Sequence, residues 1–326
     1  MSQRPTAAPA WKRQGMLLVP QGANPHWASH AQTPTALVLS DRRWRVYFSG
    51  RDAANHSRIF YADFDPASDF RLLHLEERPL LDLGDPGQFD SSGLGPSTAL
   101  WVGDQVWLYY SGFALRTDVP YQIAVGLAIS DDGGHSFRRA CLGPVMTYGP
   151  HDPYFVSTPC VWHDGNRFHA LYNSVREWIR HESQWECVYD LRAAESDDGI
   201  HWRPRAEPAL ALAEGEAGLA RPWVIPDPAG GYRMWFSHRG LHGFRAPGGQ
   251  GYRIQAAHSG DGLLWHRQGA DVQWHPRPAK GEWDDWMQAY SCVIPLGDDL
   301  IMFYNGNDFG RAGFGWARAV RAAVGA

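Results

Sequence analysis

The chain repeats itself at intervals of 62 to 67 residues, and that repeat limits what it can fold into. Pro34 in "TPTALVL", Pro96 in "GPSTALWV", Pro159 in "TPCVW" and Pro222 in "RPWVIP" follow one another at spacings of 62, 63 and 63. A further copy, "AYSCVIP", starts 67 residues later at Ala289 and lacks the proline. After each copy comes a polar turn: "SDRR", "VGDQ", "HDGN", "DPAGG" and "LGDD". An aromatic-rich segment follows: "WRVYFSG", "VWLYYSG", "RFHALYNS", "YRMWFSH" and "LIMFYNG". Third segments read "RIFYAD", "AVGLAIS", "DLRAAES", "RIQAAHS" and "GFGWARA". Alternation with aromatic and β-branched content is the signature of strands. No stretch sustains a helical period.

A unit of this size cannot bury its apolar face alone, so repeats of it must stack. Each copy reads as a four-stranded antiparallel meander, and five copies make an all-β, five-bladed β-propeller. The expected single domain spans residues 1–326, with blades near 33–83, 95–146, 158–212, 221–275 and 289–320. The last copy stops near Val320, after its third strand. "WKRQGMLLVP", from Trp11, aligns with the fourth-strand segments "FRRACLGPVM" and "WRPRAEPALAL". Residues 11–19 are therefore expected to complete the last blade, which removes an exposed sheet edge.

Three copies share a turn, "SDDGGHSF" from Ser130, "SDDGIHW" from Ser196 and "SGDGLLW" from Ser259. It resembles the Asp-box turn of sialidase-type propellers and the Ser-x-Asp-Gly-x-x-Trp turn of five-bladed glycosidases. Asp and Ser bond backbone amides there, and Gly takes a positive φ. Asp132, Asp198 and Asp261 are accordingly read as structural.

Composition narrows the partners. With 30 Lys and Arg against 35 Asp and Glu, the net charge is −5, and no basic run exceeds two residues. Nucleic acid is not an expected partner. No apolar run reaches the length of a membrane span, and "MSQRPTAAPAWKR" lacks a signal-peptide core. Cys141, Cys160, Cys187 and Cys292 fit no zinc or redox spacing. They read as free thiols in a reducing cytoplasm, with no metal and no cofactor expected. The 16 tryptophans suit an aromatic-rich β protein or a carbohydrate site.

In a meander, alternate connections lie on the same side. One face should receive residues 21–35, 83–97, 146–158, 213–222 and 280–291, together with loops near 49–58, 111–122, 173–187, 237–252 and 305–313. These segments are long and polar, and long loops on a rigid face usually carry function. Several of them, "FDSSGLGPSTALWVGDQVWLYYSGF", "PHDPYFVSTPCV", "ARPWVI", "YRMWFSHRG" and "YNGNDFGRAGFGWA", resemble the five-bladed propeller glycoside hydrolases of families 43, 32, 62, 68 and 130. Bacterial glycosidase-like proteins are the nearest group. The resemblance implies a carbohydrate- or glycoconjugate-acting enzyme, most simply a glycoside hydrolase, with a small-molecule or oligosaccharide ligand. It also implies three inner-strand carboxylates, and here this chain departs. "HWASHAQTP" offers His26, His30 and Gln32 but no acid, and Trp286 stands where related sequences have Glu.

Glycoside hydrolysis needs two carboxyl groups, roughly 5–5.5 Å apart for retention and 6.5–9.5 Å for inversion. Asp90 and Asp152 approach neighbouring blades and form the favoured pair, with Glu177 as a third acid and Glu182 nearby. Against this stands a plain turn role for either Asp. His151 is placed to meet a sugar hydroxyl. Arg221, buried at the axis end of its strand, calls for an anionic partner, either a channel carboxylate or an acidic ligand. His30, His238, Gln288 and Asn305 complete the expected ligand contacts, and Trp286 could stack on a sugar face. "HGFRAPGGQGYR" at 242–253 reads as a flexible loop or lid. A non-catalytic sugar-binding propeller is the alternative. So is a glycosidase fold recruited to biosynthetic isomerisation, cyclisation or transfer.

Overall fold

The computed structural model describes residues 10–181 and 183–320, so Glu182 lies outside the described residues. A 3-10 turn at Pro66–Ser68 and a single turn at Asn307–Gly310 are the helical pieces among them. Everything else that is regular is strand.

After β1 (Trp11–Leu18), β2 (Ser29–Ser40), β3 (Arg43–Arg51), β4 (Ser57–Asp65) and β5 (Arg71–Glu76) pair in order as an antiparallel meander. β6 (Gly93–Val102), β7 (Gln105–Leu115), β8 (Tyr121–Ser130) and β9 (Arg138–Arg139) make the second. The third contains β10 (Val156–His163), β11 (Phe168–His181), β12 (Gln184–Ser196) and β13 (Arg203–Leu210). The fourth contains β14 (Gly218–Pro226), β15 (Tyr232–Arg239), β16 (Arg253–Ser259) and β17 (His266–Gln268). Beyond the short β18 (Trp274–His275) come β19 (Ala289–Leu296), β20 (Asp299–Asn305) and β21 (Phe314–Val320). β1 pairs antiparallel with β21, Lys12 opposite Arg318 and Leu18 opposite Phe314, and parallel with β18.

The alternation in the sequence sorts side chains between neighbouring cores. On β3, Trp44, Val46 and Phe48 enter one buried cluster, while Tyr47 enters another with Leu37 and Tyr61. On β7, Leu108 and Tyr110 join that second cluster, and Tyr109 joins a third with Phe168 and Tyr172. The second strands β3 and β7 are thus buried on both faces. The first strands β2, β6, β10, β14 and β19 each contact the next, and β19 contacts β2.

All these first strands break register at one repeat position: Gln32/Thr35, Pro96/Thr98, Ser157/Cys160, Ala220/Trp223 and Ala289/Cys292. Thr33, Thr158, Arg221 and Tyr290 take φ values of 52°, 44°, 51° and 58° there. Non-glycine residues in that region are strained and persist only when neighbours hold them. The holding groups sit on the second strand of the preceding meander. Ser111 Oγ accepts the Thr158 amide at 2.9 Å, Ser237 Oγ the Tyr290 amide at 2.8 Å, and Asn305 Oδ1 the Thr33 amide at 2.8 Å.

The three shared turns join third and fourth strands at the other end of the meanders. Ser130, Ser196 and Ser259 Oγ accept the amides of Gly134, Gly199 and Gly262 at 2.8, 2.9 and 2.8 Å. The carboxylates of Asp132, Asp198 and Asp261 accept amides of the residues that follow them.

Candidate ligand site

Two of the acids singled out by sequence, Asp90 and Asp152, are bonded to strand residues of their own meanders. Tyr110 Oη donates to Asp90 at 3.0 Å from 20 residues away, and Arg139 on β9 donates to the same carboxylate at 2.9 and 2.8 Å. A Cβ at Gly112 would come within 2.6 Å of the Asp90 Cβ, so the strut also fixes that glycine. The spacing of 20 residues recurs where Tyr172 donates to Asp152 at 3.1 Å and Tyr304 to Asp284 at 2.7 Å. Arginines from outer strands recur too. Arg13 on β1 holds Asp284 at 3.0 and 2.5 Å, and Arg267 on β17 holds Glu216 at 2.9 and 2.6 Å. Asp90 and Asp152 therefore tie each connector to its own meander. Glu177 is exposed on β11, beside a register break.

The expected ligand contacts also fall elsewhere. His151 is exposed, and its carbonyl accepts Arg176 Nη1 at 2.6 Å. Arg221 is fully buried, but its partners are neutral rather than anionic. It reaches across to β2 and β6, donating to Ser97 O at 2.5 Å, Pro96 O at 3.2 Å, Pro34 O at 3.1 Å and Thr35 Oγ1 at 2.6 Å. The register breaks free those carbonyls from the ladder, which is why no carboxylate is needed. Burial lowers its pKa to about 10. His238 lies between Glu216 Oε1 at 3.1 Å and Asp271 Oδ1 at 2.7 Å. Gln288 is buried against the Asp284 carbonyl, and Trp286 offers its carbonyl to Arg253. Asn305 is spent on Thr33, on Ala31 O at 2.8 Å and on Gly313 O at 3.0 Å. Burial, then the charges of Arg51 and Arg311, push the His30 imidazole down to about 3.

A cavity of about 500 Å³ lies where the first strands converge, and all five contribute to it: Thr33, Pro96, Thr158, Ala220 and Tyr290. Its floor is thus made at the register breaks. Hydroxyl and amide groups of Gln32, Ser49, Asn55, Ser57, Ser111, Ser157 and Asn173 face it. Phe113, Tyr121, Phe155, Tyr189, Phe244, Tyr252, Tyr290 and Phe309 supply the apolar wall. None of the ten residues expected from the sequence lines it; of the polar residues noted beside them at the first blade's entry, Gln32 does. Among the described residues no aspartate or glutamate lines it, and three arginines do: Arg51, Arg239 and Arg245.

The arginines differ in their partners. Arg245 is held bidentately by Glu186, at 3.1 and 2.8 Å, outside the cavity lining. Arg51 donates to Gln32 Oε1 and Asn55 Oδ1, both at 2.9 Å. Arg239, 2% exposed, donates to Tyr189 Oη at 3.1 Å, Gly240 O at 2.9 Å and Cys187 O at 2.8 Å. Its guanidinium lies 3.9 Å from the Phe244 ring centroid. Tyr189 and Tyr252 share a hydroxyl–hydroxyl bond, and burial raises the Tyr189 and Tyr290 phenols well above their ordinary range. These phenols therefore stay protonated at neutral pH. A signal for the arginines was present: "YFSGR" and "WFSHR" place Arg51 and Arg239 at the same point of the repeat.

No family model matches the chain. It is 35% identical over 309 residues to "Uncharacterized protein Rv1502" of Mycobacterium tuberculosis strain H37Rv, covering 94% of this chain and 98% of the other. The same figures hold for "Uncharacterized protein MT1551" of strain CDC 1551. Among solved structures, a glycoside hydrolase is 19% identical with a TM-score of 0.70, covering 98% of this chain and 93% of that one. A glycosyl hydrolase from Bacteroides ovatus has a TM-score of 0.71 at 13% identity, covering 97% and 95%. The beta-1,2-mannobiose phosphorylase from Listeria innocua, in complex with beta-1,2-mannobiose, has a TM-score of 0.67 at 13% identity, covering 94% and 95%. The fold is that of glycoside hydrolase-like propeller proteins.

Proposed function

Because the chain belongs to the family of the mycobacterial protein Rv1502 and has the fold of propeller glycoside hydrolases, we propose that it acts on carbohydrate and that the convergent cavity is its saccharide site. One observation carries this reading: the cavity combines a ring of neutral hydroxyl and amide groups with aromatic walls. Sugar hydroxyls pair with the first, and the C–H faces of a pyranose pack on the second.

Two-carboxylate hydrolysis is not the chemistry we assign. It needs an acid and a base flanking the scissile bond, and the described lining has neither. Saccharide binding, or a transfer step that draws its nucleophile from a co-substrate, fits the lining better. A phosphorylase among the structural neighbours is consistent with the second.

We read the five meanders as the blades of one closed propeller, with β1 as the outer strand of the last. The β1–β21 pairing, the β19–β2 contact and the Asn305–Thr33 bond support that closure. Four cysteines without disulfides support a reducing, cytoplasmic setting.

Saturation-transfer NMR against a panel of mono- and oligosaccharides tests the site. Binding should weaken in Tyr290→Ala and Ser157→Val, which alter the cavity floor. Aryl-glycoside turnover that collapses in Asp90→Asn, with folding intact, would contradict the assignment.

A further inference from the structure

Two arginines on the cavity wall have no acidic partner. Burying a cation is unfavourable unless a counter-charge or a full set of hydrogen bonds compensates it. Arg245 meets that condition through Glu186. Arg239 does not: its three bonds end on a phenol and two carbonyls, and a guanidinium carries more donors than these use. Nor does Arg51, whose acceptors are the side-chain amides of Gln32 and Asn55. Both arginines line the same cavity, each at the end of the second strand of its meander, β3 and β15. Behind the floor, Arg221 adds a third positive charge compensated only by carbonyls and a hydroxyl.

Nothing negative lines this space among the described residues, so the charged side chains on its wall are all cationic. Phe244 packs on Arg239 and Arg245, with guanidinium carbons 3.9 and 4.4 Å from its ring centroid. That contact fixes both forks and keeps water from one side of them.

We propose that the cavity selects an acidic saccharide, one carrying a carboxylate or phosphate that Arg51 and Arg239 receive. This rests on the carbohydrate reading and narrows it. Planar guanidinium forks match carboxylate and phosphate oxygens bidentately. The hydroxyl groups of Ser49, Ser57 and Ser111 take the rest of the sugar.

Isothermal titration calorimetry on the full chain tests this with a uronic acid disaccharide, a hexose phosphate, the neutral counterpart of each, and inorganic phosphate alone. At least one acidic sugar should bind about tenfold or more tightly than its neutral counterpart, a gap of about 1.4 kcal/mol. Arg239→Gln should narrow that ratio, and Arg239→Lys should restore part of it. If Arg239→Gln fails to fold, Arg51→Gln, at a less buried site, reads the same ratio. The uronate and phosphate arms identify which acidic group is received. Equal binding of acidic and neutral sugars would overturn the inference and leave the saccharide reading standing. Binding of phosphate alone, with no sugar bound, would uphold the anion site and remove the saccharide reading. Binding of none of the probes would overturn both.

Discussion

Asn305 on β20 accepts the amide hydrogen of Thr33 on β2 at 2.8 Å, joining residues 272 apart in the chain. The same side chain donates to Ala31 O and Gly313 O, and all of it is buried. One amide therefore holds a strained residue at the cavity floor and links the last meander to the first. Asn305→Ala leaves a buried amide and two carbonyls without partners. Each unsatisfied group is worth about 1–3 kcal/mol. Urea unfolding should show a loss of about 3–5 kcal/mol, since water recovers part of that sum. A loss under about 1 kcal/mol would mean the link carries little.

The β1 strand can be tested through one residue. Arg13 and Asp284 have side-chain exposures of 7% and 0%. Breaking a buried ion pair from one side costs about 3–5 kcal/mol. Arg13→Met should approach that loss, and Asp284→Asn in the same chain should recover part of it. A double-mutant cycle with no coupling would remove β1 from the account of closure.

Asp90→Asn separates strut from catalyst. The substitution keeps the shape but weakens the bonds from Tyr110 and Arg139. We expect a stability loss of about 1–3 kcal/mol, with ligand affinity per folded molecule unchanged. Unchanged melting with abolished turnover is the opposite pattern and would return Asp90 to the chemistry.

Two histidines contribute to the pH dependence of stability with opposite signs. Burial opposes protonation of His238, but its bonds to Asp271 and Glu216 outweigh this and raise its pKa from 6.5 to about 9. Its stabilising contribution is complete below about pH 6.5 and is lost as pH rises through 9. At about 1.4 kcal/mol per pKa unit the loss is on the order of 3–4 kcal/mol. His30 has the opposite sign. Its pKa falls from 6.5 to about 3, so its contribution is present above 6.5 and is lost on acidification. Stability measured across pH should peak near neutrality, and His238→Gln should flatten the alkaline side. An unchanged alkaline slope would show that the Glu216–His238–Asp271 cluster does not titrate with folding.

The repeat made the strands, their order and the short turns legible, because each is a local consequence of alternation and turn chemistry. The pairing of β1 with β21 was legible for the same reason: Trp11 occupies the repeat position of Phe137, Trp202 and Trp265. The cavity was not. Asp90 precedes a blade on the polar face, which is where a catalytic acid would stand in sequence, and its Arg139 partner is 49 residues away. Nothing local distinguishes a strut from a catalyst. Arg221 misled for a related reason: its acceptors are backbone carbonyls released by register breaks, and carbonyl availability leaves no mark in residue identity. Arg51 and Arg239 share a repeat position, yet their significance lies in what is missing around them, and only the assembled cavity displays that.

The most direct measurement is a crystal structure with the best-binding acidic saccharide soaked or co-crystallised. Density is expected in the convergent cavity, with the acidic group within hydrogen-bond distance of Arg51 and Arg239 and the sugar ring against the aromatic wall. A saccharide bound beside Asp90 and Asp152, with the cavity filled only by water, would contradict that expectation.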